Sequence, residues 1–158
     1  MTALATLTRT QICDAIRDTL EGAVQRAQSV GELSESMEDL PMLRVYPFFN
    51  EVDPSGTTDR YTFGGKGGDE NTPVRWTHLI INADVPVQQR SDIGDNMAEI
   101  ATTWDAIEAL LVTQNVKPYF DLEGIKAFKW TAQLTTFAWG ALELPYLGVQ
   151  FKFNIEVF

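Results

Sequence analysis

Few side chains in this sequence could do chemistry. His78 is its one histidine and Cys13 its one cysteine, so an intramolecular disulfide and zinc sites built from His and Cys are excluded by count. A Ser-His-Asp triad would need His78, but no Gly-x-Ser-x-Gly segment supplies a serine nucleophile. We expect His78 on the solvent face of a strand and Cys13 as a buried structural thiol. The sequence therefore predicts no enzyme activity and no metal or cofactor site.

A lysine inside a glycine cluster, Lys66 within Gly64–Gly68, prompts comparison with a phosphate-binding loop. Such a loop has Gly-x-x-x-x-Gly-Lys followed by Ser or Thr, and it opens a helix. Here Lys66 is followed by two glycines and then by Asp69 and Glu70, whose carboxylates would repel a phosphate. The next predicted element is a strand, so nucleotide binding is not expected.

The chain is acidic, with 22 Asp and Glu against 12 Lys and Arg and a net charge of −10. The connector from residue 32 to residue 39 contains no basic residue. Its acidic residues are Glu32, Glu35, Glu38 and Asp39. Their spacing does not match an EF-hand, so we expect a solvated loop. The overall charge disfavours broad contact with nucleic-acid phosphates, which needs clustered Lys and Arg.

The length of 158 residues, with 44% hydrophobic and 11% aromatic residues, predicts one domain over 1–158 with a flexible loop or hairpin at about 50–73. The first eight residues lack the pattern of a secretory signal. The longest stretch without charged residues, 130–142, is shorter than the roughly 18 residues that a membrane helix needs. We therefore expect a protein that is synthesised in a cytoplasm and has no membrane partner.

Two helices are predicted to position the remaining elements. Thr8 and Gln11 form a capping box, and an apolar stripe then predicts a helix over about 9–28 that ends near Gly31. The stripe consists of Ile12, Ile16, Leu20, Val24 and Ala27. A second helix is predicted over about 92–112, capped by Ser91 or Asp92, with Asp95 in its first turn. Its apolar face consists of Ile93, Met97, Ile100, Trp104, Ile107 and Leu111.

Strands are predicted where apolar residues alternate with polar ones. Residues 43–46 form a short strand that Pro47 ends or confines to a sheet edge. Residues 79–87 and 128–134 read as half-buried strands. The most regular alternation, over 147–157, indicates one face on a core and the other in water or on a neighbour. A turn at 144–148 is expected to join the last two strands.

The segment from Asn50 to Pro73 is rich in Gly, Asp and Thr. Residues 60–63 and 74–76 on either side of the glycine cluster are predicted to form a long, mobile hairpin. The element order is then α-β-β-β-α-β-β. Because strands and helices do not alternate regularly, we predict an α+β fold with a mainly antiparallel sheet, two helices packed on one face, and a long hairpin arm.

This layout resembles the tail-terminator (tail-completion) proteins of long-tailed bacteriophages. The resemblance is carried by the helix from Ile12 to Ala27, the strand 43–47, and the strand-then-helix segment from Thr77 to Leu111. The closing segment 146–151, which leads into the alternating C-terminal strand, is the most suggestive part. The resemblance covers nearly the whole chain, in architecture rather than in invariant motifs.

The resemblance implies a structural virion protein of the phage neck and tail, assembled in the host cytoplasm. Six copies would form a ring on the tail tube, stop its growth, and join the tail to head-side neck proteins and the DNA-filled head. The hairpin is expected to be a subunit-interface arm, with Arg60, Tyr61, Phe63, Lys66 and Asp69 as its contact residues. The acidic residues of 32–39 are expected at the lumen or rim, where like charge would let DNA pass without specific binding.

Two alternatives stay open. One is a ligand-binding or enzymatic α+β domain of the nuclear-transport-factor-2-like type, which shares the size, the N-terminal helix and the long curved strands. That fold usually places its helices early, whereas the second helix here lies between strands. The other alternative is a different neck or tail component, such as a head-completion protein or a tail-tube protein.

Overall fold

The computed structural model describes residues 7–34, 39–48, 60–63, 73–89, 93–137 and 145–157, without side chains at 60–63, 73–78 and 93–95. These residues form an α+β fold with one mixed sheet and two helices. The elements are α1 (Arg9–Leu20), β1 (Arg26–Gln28), β2 (Met42–Pro47), β3 (Arg60–Phe63), β4 (Pro73–Gln89), α2 (Ile93–Val112), β5 (Ile125–Phe137) and β6 (Tyr146–Val157). Among them, no helix is both long and apolar enough to cross a membrane.

The first helix begins as predicted and ends earlier. Thr8 Oγ1 accepts from the Gln11 backbone N–H at 3.1 Å, and the Gln11 side chain accepts from the Thr8 N–H at 2.9 Å, which confirms the capping box. The prediction of a helix to about residue 28 is wrong, because α1 ends at Leu20 and residues 26–28 form β1. The pairing of β1 with β2 overrides the helical periodicity of these residues. Val24 and Ala27 pack against the core in the structure, as they would in the predicted helix.

Gly31 was expected to end that helix in a left-handed conformation. It lies instead in a short 3₁₀ turn, Val30–Glu32, that follows β1. The Ser29 N–H donates to the Glu32 carboxylate at 2.9 Å, which holds the start of this turn.

The sheet has the order β1-β2-β4-β6-β5. Only the β1–β2 pair is parallel among the described strands, and β2–β4, β4–β6 and β5–β6 are antiparallel. Pro47 ends β2, which lies inside the sheet. β3 pairs with Pro73–Trp76 of β4, just before β4 begins its pairing with β6 at Thr77. The predicted element order thus gains one short strand, β1.

Both helices and one face of the sheet contribute to a single hydrophobic core. Its fully buried members from α1, β4 and β6 include Ile12, Cys13, Ile16, Leu20, Ile81, Ala83, Val85, Val149, Phe151, Phe153 and Ile155. Trp104 of α2 meets Phe151 edge-on, with ring centroids 6.0 Å apart. The apolar face of α2 is confirmed at Ile100, Ile107 and Leu111, but the prediction for Met97 is wrong because it is 45% exposed. Asn96 takes the buried position there and donates to Gln88.

A bulge between β4 and β6 accommodates Pro86 and Gly148, two residues that are disfavoured inside strands. Pro86 lies within a central strand, where it lacks the N–H of the hydrogen-bond ladder, and the register shifts between Pro86 and Gln88. Gly148 lies opposite Pro86, inside β6 rather than in the predicted turn at 144–148. A Cβ at residue 148 would overlap the Val85 carbonyl oxygen and lie 2.8 Å from the Pro86 Cα. Close approach of the two backbones therefore requires glycine.

The connector between α2 and β5 is anchored by a strained aromatic residue. Phe120 has a φ of 55°, which is costly for a bulky side chain, and it is only 2% exposed. Its N–H donates to the Gln114 side chain at 2.6 Å, and its ring centroid lies 4.8 Å from that of Phe128. Core packing of the ring offsets the backbone strain.

Candidate functional site

The predicted arm residues are placed in part. Arg60, Tyr61 and Phe63 belong to β3, where Arg60 pairs with Trp76 and Phe63 with Pro73 of β4. Lys66 and Asp69 lie outside the described residues, and so do Ser91 and Asp92, the predicted caps of α2. The backbone pairing is that of a hairpin.

The acidic residues of 32–39 fall into different environments. The Glu32 carboxylate contacts Arg17 of α1 as well as the Ser29 N–H. These contacts, the Ser29 hydrogen bond first, hold the pKa of Glu32 below its usual value. Asp39 is exposed and has a φ of 59°, a conformation that Asp adopts more readily than most residues. Glu35 and Glu38 lie outside the described residues. Arg17 thus partly neutralises the charge of Glu32, whereas the Asp39 carboxylate is exposed to solvent.

The outer strand β5 is the clearest interaction surface in the described part of the chain. β6 is the only described strand that pairs with it, so the backbone groups of its other edge have no described strand partner. It runs for 13 residues, which is long for a strand at the outer position of the described sheet. Most of its side chains are exposed, including Leu134 at 49%. Unpaired backbone groups beside exposed side chains are the features to which an added strand binds.

Leu134 was expected on the apolar face of this strand with Phe128, Trp130 and Ala132. Those three residues do pack against the core from the partly buried side of β5. Leu134 lies opposite Val149, near the end of the strand, and the helices leave it exposed. It is therefore an apolar contact point on the surface rather than part of the core.

A groove opens beside the first half of β5. It has a volume of about 330 Å³ and lies between Gln114 and Asn115 of the connector and the rings of Tyr119, Phe128 and Trp130. Tyr119 meets Phe128 edge-on, with ring centroids 5.3 Å apart. The aromatic rings that line this groove can receive an apolar side chain of a segment that pairs with the outer edge of β5.

A second cleft, of about 440 Å³, lies between α1 and the 3₁₀ turn Tyr119–Asp121. Asp14, Asp18 and Asp121 line it. Arg17, on the same helix as the first two, contacts Asp18 at 2.9 Å and also Glu32. The acidic lining makes this cleft unfavourable for an anionic ligand.

The face of the sheet opposite the helices holds a buried polar cluster. Arg44 of β2, Asp84 of β4 and Gln150 of β6 lie side by side across the three strands. Gln150 donates to Asp84 Oδ1 at 2.8 Å, and the Tyr46 hydroxyl donates to Oδ2 at 2.6 Å. Arg44 is fully buried and Asp84 is 2% exposed. The expectation of a half-buried strand at 79–87 is therefore wrong, since β4 is buried on both faces here.

Burial governs the ionisation of this cluster. Desolvation is the largest influence on Asp84 and raises its pKa, against the hydrogen bonds from Tyr46 and Gln150 and the charge of Arg44. Desolvation also raises the pKa of Tyr46, and the neighbouring carboxylate adds to that effect. The Tyr46 hydroxyl therefore keeps its proton and remains a donor. Sequence reasoning missed this cluster, because Asp84 stands at a polar position of the alternation over 79–87, where a solvent-facing side chain is expected.

The structure describes Cys13, which the sequence predicts to be a buried structural thiol. It is fully buried in α1, and burial, with a smaller effect of Asp14, raises its pKa to about 12. Since the thiolate is the reactive form, the thiol is inert near neutral pH. The prediction of a buried structural thiol is confirmed.

Comparison of the sequence with models of known protein families gives no match, and a search of curated protein sequences gives no significant match. The described residues form an α+β fold with a mixed sheet, one hydrophobic core, and β5 as the outer strand next to β6.

Proposed function

We propose that this protein is a structural component of the phage neck and tail, which forms a ring that caps the tail tube and joins the tail to the DNA-filled head. The single observation that carries the proposal is the 13-residue outer strand β5, whose second edge pairs with no other strand of the described part of the chain and is suited to binding another chain. The order of helix, sheet, packed helix and closing strands is also that of the tail-terminator resemblance.

The ring would consist of six copies in contact with the tail-tube protein on one side and head-side neck proteins on the other. Rings of identical subunits use head-to-tail interfaces, which need two different surfaces on each subunit. The hairpin of β3 and the start of β4 is the proposed arm, because β4 pairs there with β3 alone among the described strands. The arm would reach a neighbour through Arg60, Tyr61, Phe63, Lys66 and Asp69.

The acidic surface is proposed to face the lumen or the rim. With a net charge of −10 per chain, an acidic lumen would repel DNA phosphates, and DNA would pass without specific binding. Since Glu32 contacts Arg17, the exposed charge in this segment is expected from Glu35, Glu38 and Asp39.

Native mass spectrometry of the purified chain, followed by negative-stain imaging, tests the proposal. We expect closed rings of six copies with a central opening that admits duplex DNA. Open stacks of rings would favour a tail-tube protein. A stable monomer that binds a small molecule would favour the nuclear-transport-factor-2-like alternative.

The arm is tested separately by replacing Arg60 and Lys66 with Ala. We expect ring formation to weaken, because two cations that reach the neighbour are lost. Lys117→Ala is the matched control, since Lys117 is an exposed cation in the connector after α2. Ring formation unchanged by the Arg60 and Lys66 substitutions would remove the arm from the proposal.

A further inference from the structure

β5 carries an apolar groove and an exposed apolar residue on the same face. Phe128 lies opposite Ile155 of β6, and Leu134 lies opposite Val149. Both partners are core residues, so Phe128 and Leu134 share the face on which the helices pack. The groove of about 330 Å³ lies at Phe128, and Leu134 is 49% exposed. The two features lie on either side of Thr131, at equal distances along the strand.

We infer that β5 of one copy pairs antiparallel with β5 of a second copy, about a two-fold axis at Thr131. Directly opposite residues of an antiparallel pair lie on the same face. Leu134 of each copy then lies opposite Phe128 of the other and enters its groove. Trp130 lies opposite Ala132, which sets a small side chain against a large one. Because the contact is symmetric, one pairing fills both grooves.

The apolar side chains select this register. A slip of one residue would bring the solvent-facing residues of one strand against the core-facing residues of the other. A slip of two residues would set Phe128 opposite Thr136, or Leu134 opposite Lys126, whose amine already contacts Glu156 at 3.2 Å. Only the register about the two-fold axis gives both Phe128 and Leu134 an apolar neighbour.

The charges of β5 permit the same register. Lys129 of one copy lies opposite Gln133 of the other, and β5 has no acidic residue. The two Lys129 side chains are then about 14 Å apart along the strands, at about 3.4 Å per residue. This distance exceeds the screening length of about 8 Å at physiological salt. Like charge therefore does not prevent the pairing.

The size of the contact predicts a reversible dimer. Pairing of residues 127–135 in each copy gives roughly eight to ten backbone hydrogen bonds, and a typical interface has about ten. With the groove, the contact uses roughly half of the 20–30 residues that a standard interface has on each side. We therefore expect a dissociation constant in the micromolar range, weaker than that of a permanent dimer.

This inference does not rest on the proposed ring. A two-fold contact pairs its two members and ends there, whereas a ring needs a head-to-tail contact. The ring contact is proposed for the hairpin arm, which leaves β5 available. If rings form, pairing of β5 strands joins two rings, and otherwise it joins two chains.

A cysteine on the two-fold axis tests the register. Opposite residues in an antiparallel pair have Cα atoms about 4.5–5.5 Å apart, within the range of a disulfide. Thr131→Cys, treated with oxidised glutathione, should therefore give covalent dimers on non-reducing gels. Gln133→Cys is the matched control, because Gln133 is also exposed on β5 and the two copies of it would be about 14 Å apart. The native Cys13 is buried and does not react.

The groove contact is tested by Leu134→Ala. We expect about tenfold weaker association, because each pair loses two buried leucines. Sedimentation velocity over a concentration series measures the change. Met97→Ala is the matched control, since Met97 has a similar exposure of 45% but lies on α2. Association that is unchanged by Leu134→Ala, or lowered equally by Met97→Ala, would overturn the inference.

The outcomes separate this inference from the proposed function. Covalent dimers of Thr131→Cys without rings support the inference and overturn the ring. Rings in which Thr131→Cys forms no disulfide leave the ring proposal standing and overturn the inference. Disulfides from Gln133→Cys in place of Thr131→Cys show another register and also overturn it. A chain that stays monomeric at every concentration overturns both proposals.

Discussion

The Tyr46 hydroxyl donates a 2.6 Å hydrogen bond to Asp84 Oδ2, so β2 and β4 are joined by side chains as well as by their backbones. Both residues lie in the buried polar cluster on the face of the sheet opposite the helices. A carboxylate in such surroundings depends on each of its donors, because water does not replace a lost one.

Tyr46→Phe removes this donor and leaves the ring in place. We expect a loss of about 1–3 kcal/mol in the free energy of unfolding, since Asp84 then keeps only part of its hydrogen bonding. Urea denaturation at neutral pH measures the loss. Tyr119→Phe is the control, because the described role of Tyr119 is the packing of its ring on Phe128, and its effect should stay within about 0.5 kcal/mol. Equal effects of the two substitutions would contradict the role assigned to the hydrogen bond.

Asp84→Asn should change the dependence of stability on pH. The pKa of Asp84 is raised in the folded state, so the folded protein holds this proton more tightly than the unfolded chain, whose Asp has a pKa of about 3.9. The contribution of Asp84 is therefore fully present below about pH 4 and is lost as pH rises through the folded pKa. Asn does not titrate, so the stability of the variant relative to wild type should increase as the pH rises above about 4. A difference that stays flat across a pH series of unfolding measurements would refute the raised pKa.

Gly148→Ala tests the close approach at the bulge. The added methyl group overlaps the Val85 carbonyl oxygen, and backbone cannot move aside as a flexible side chain can. We expect a loss of about 1–3 kcal/mol, measured by thermal or chemical unfolding. Gly31→Ala is the control, because no atom lies within 4 Å of a Cβ at that position, and its effect should be neutral or slightly stabilising. A neutral Gly148→Ala variant would show that the strands can separate at the bulge without cost.

Neutralising the exposed acidic residues tests the proposed DNA conduit. Replacing Glu35 and Glu38 with Gln and Asp39 with Asn should increase retention of duplex DNA at low salt, since three repelling charges per subunit are removed. Electrophoretic mobility of DNA with the assembled protein measures the effect. Glu32→Gln is the control, and we expect a smaller effect from it because Arg17 already contacts that carboxylate. DNA retention that does not rise would place the acidic segment away from the DNA path.

Regular elements could be predicted where local and tertiary preferences agree. The capping box at Thr8, the long helix α2 and the alternation of β6 depend on neighbours in sequence, and all three are present in the fold. The end of α1 could not be predicted in the same way, because residues 26–28 suit a helix locally and form a strand only beside β2.

The candidate surfaces could not be predicted either, because they depend on the pairing of strands that are distant in sequence. That β5 is an outer strand depends on the order of the whole sheet, which a period-two pattern does not encode. The polar cluster likewise arises from the register that sets Arg44, Asp84 and Gln150 side by side. Each of these residues alone resembles an ordinary solvent-facing position in a strand. Only the pairing of β2, β4 and β6 brings the three side chains together in one cluster.

β4 also has a mechanical consequence. It carries β3 at its start and then pairs with β6 from Thr77 to Gln89 along one continuous strand. The hydrogen bonds of an antiparallel ladder lie perpendicular to the strands, so a pull directed along β4 from its hairpin end loads the whole ladder in shear. A strand loaded in this way cannot peel off one pair at a time. Tension that enters at the hairpin would therefore be spread across the centre of the sheet before any single contact fails.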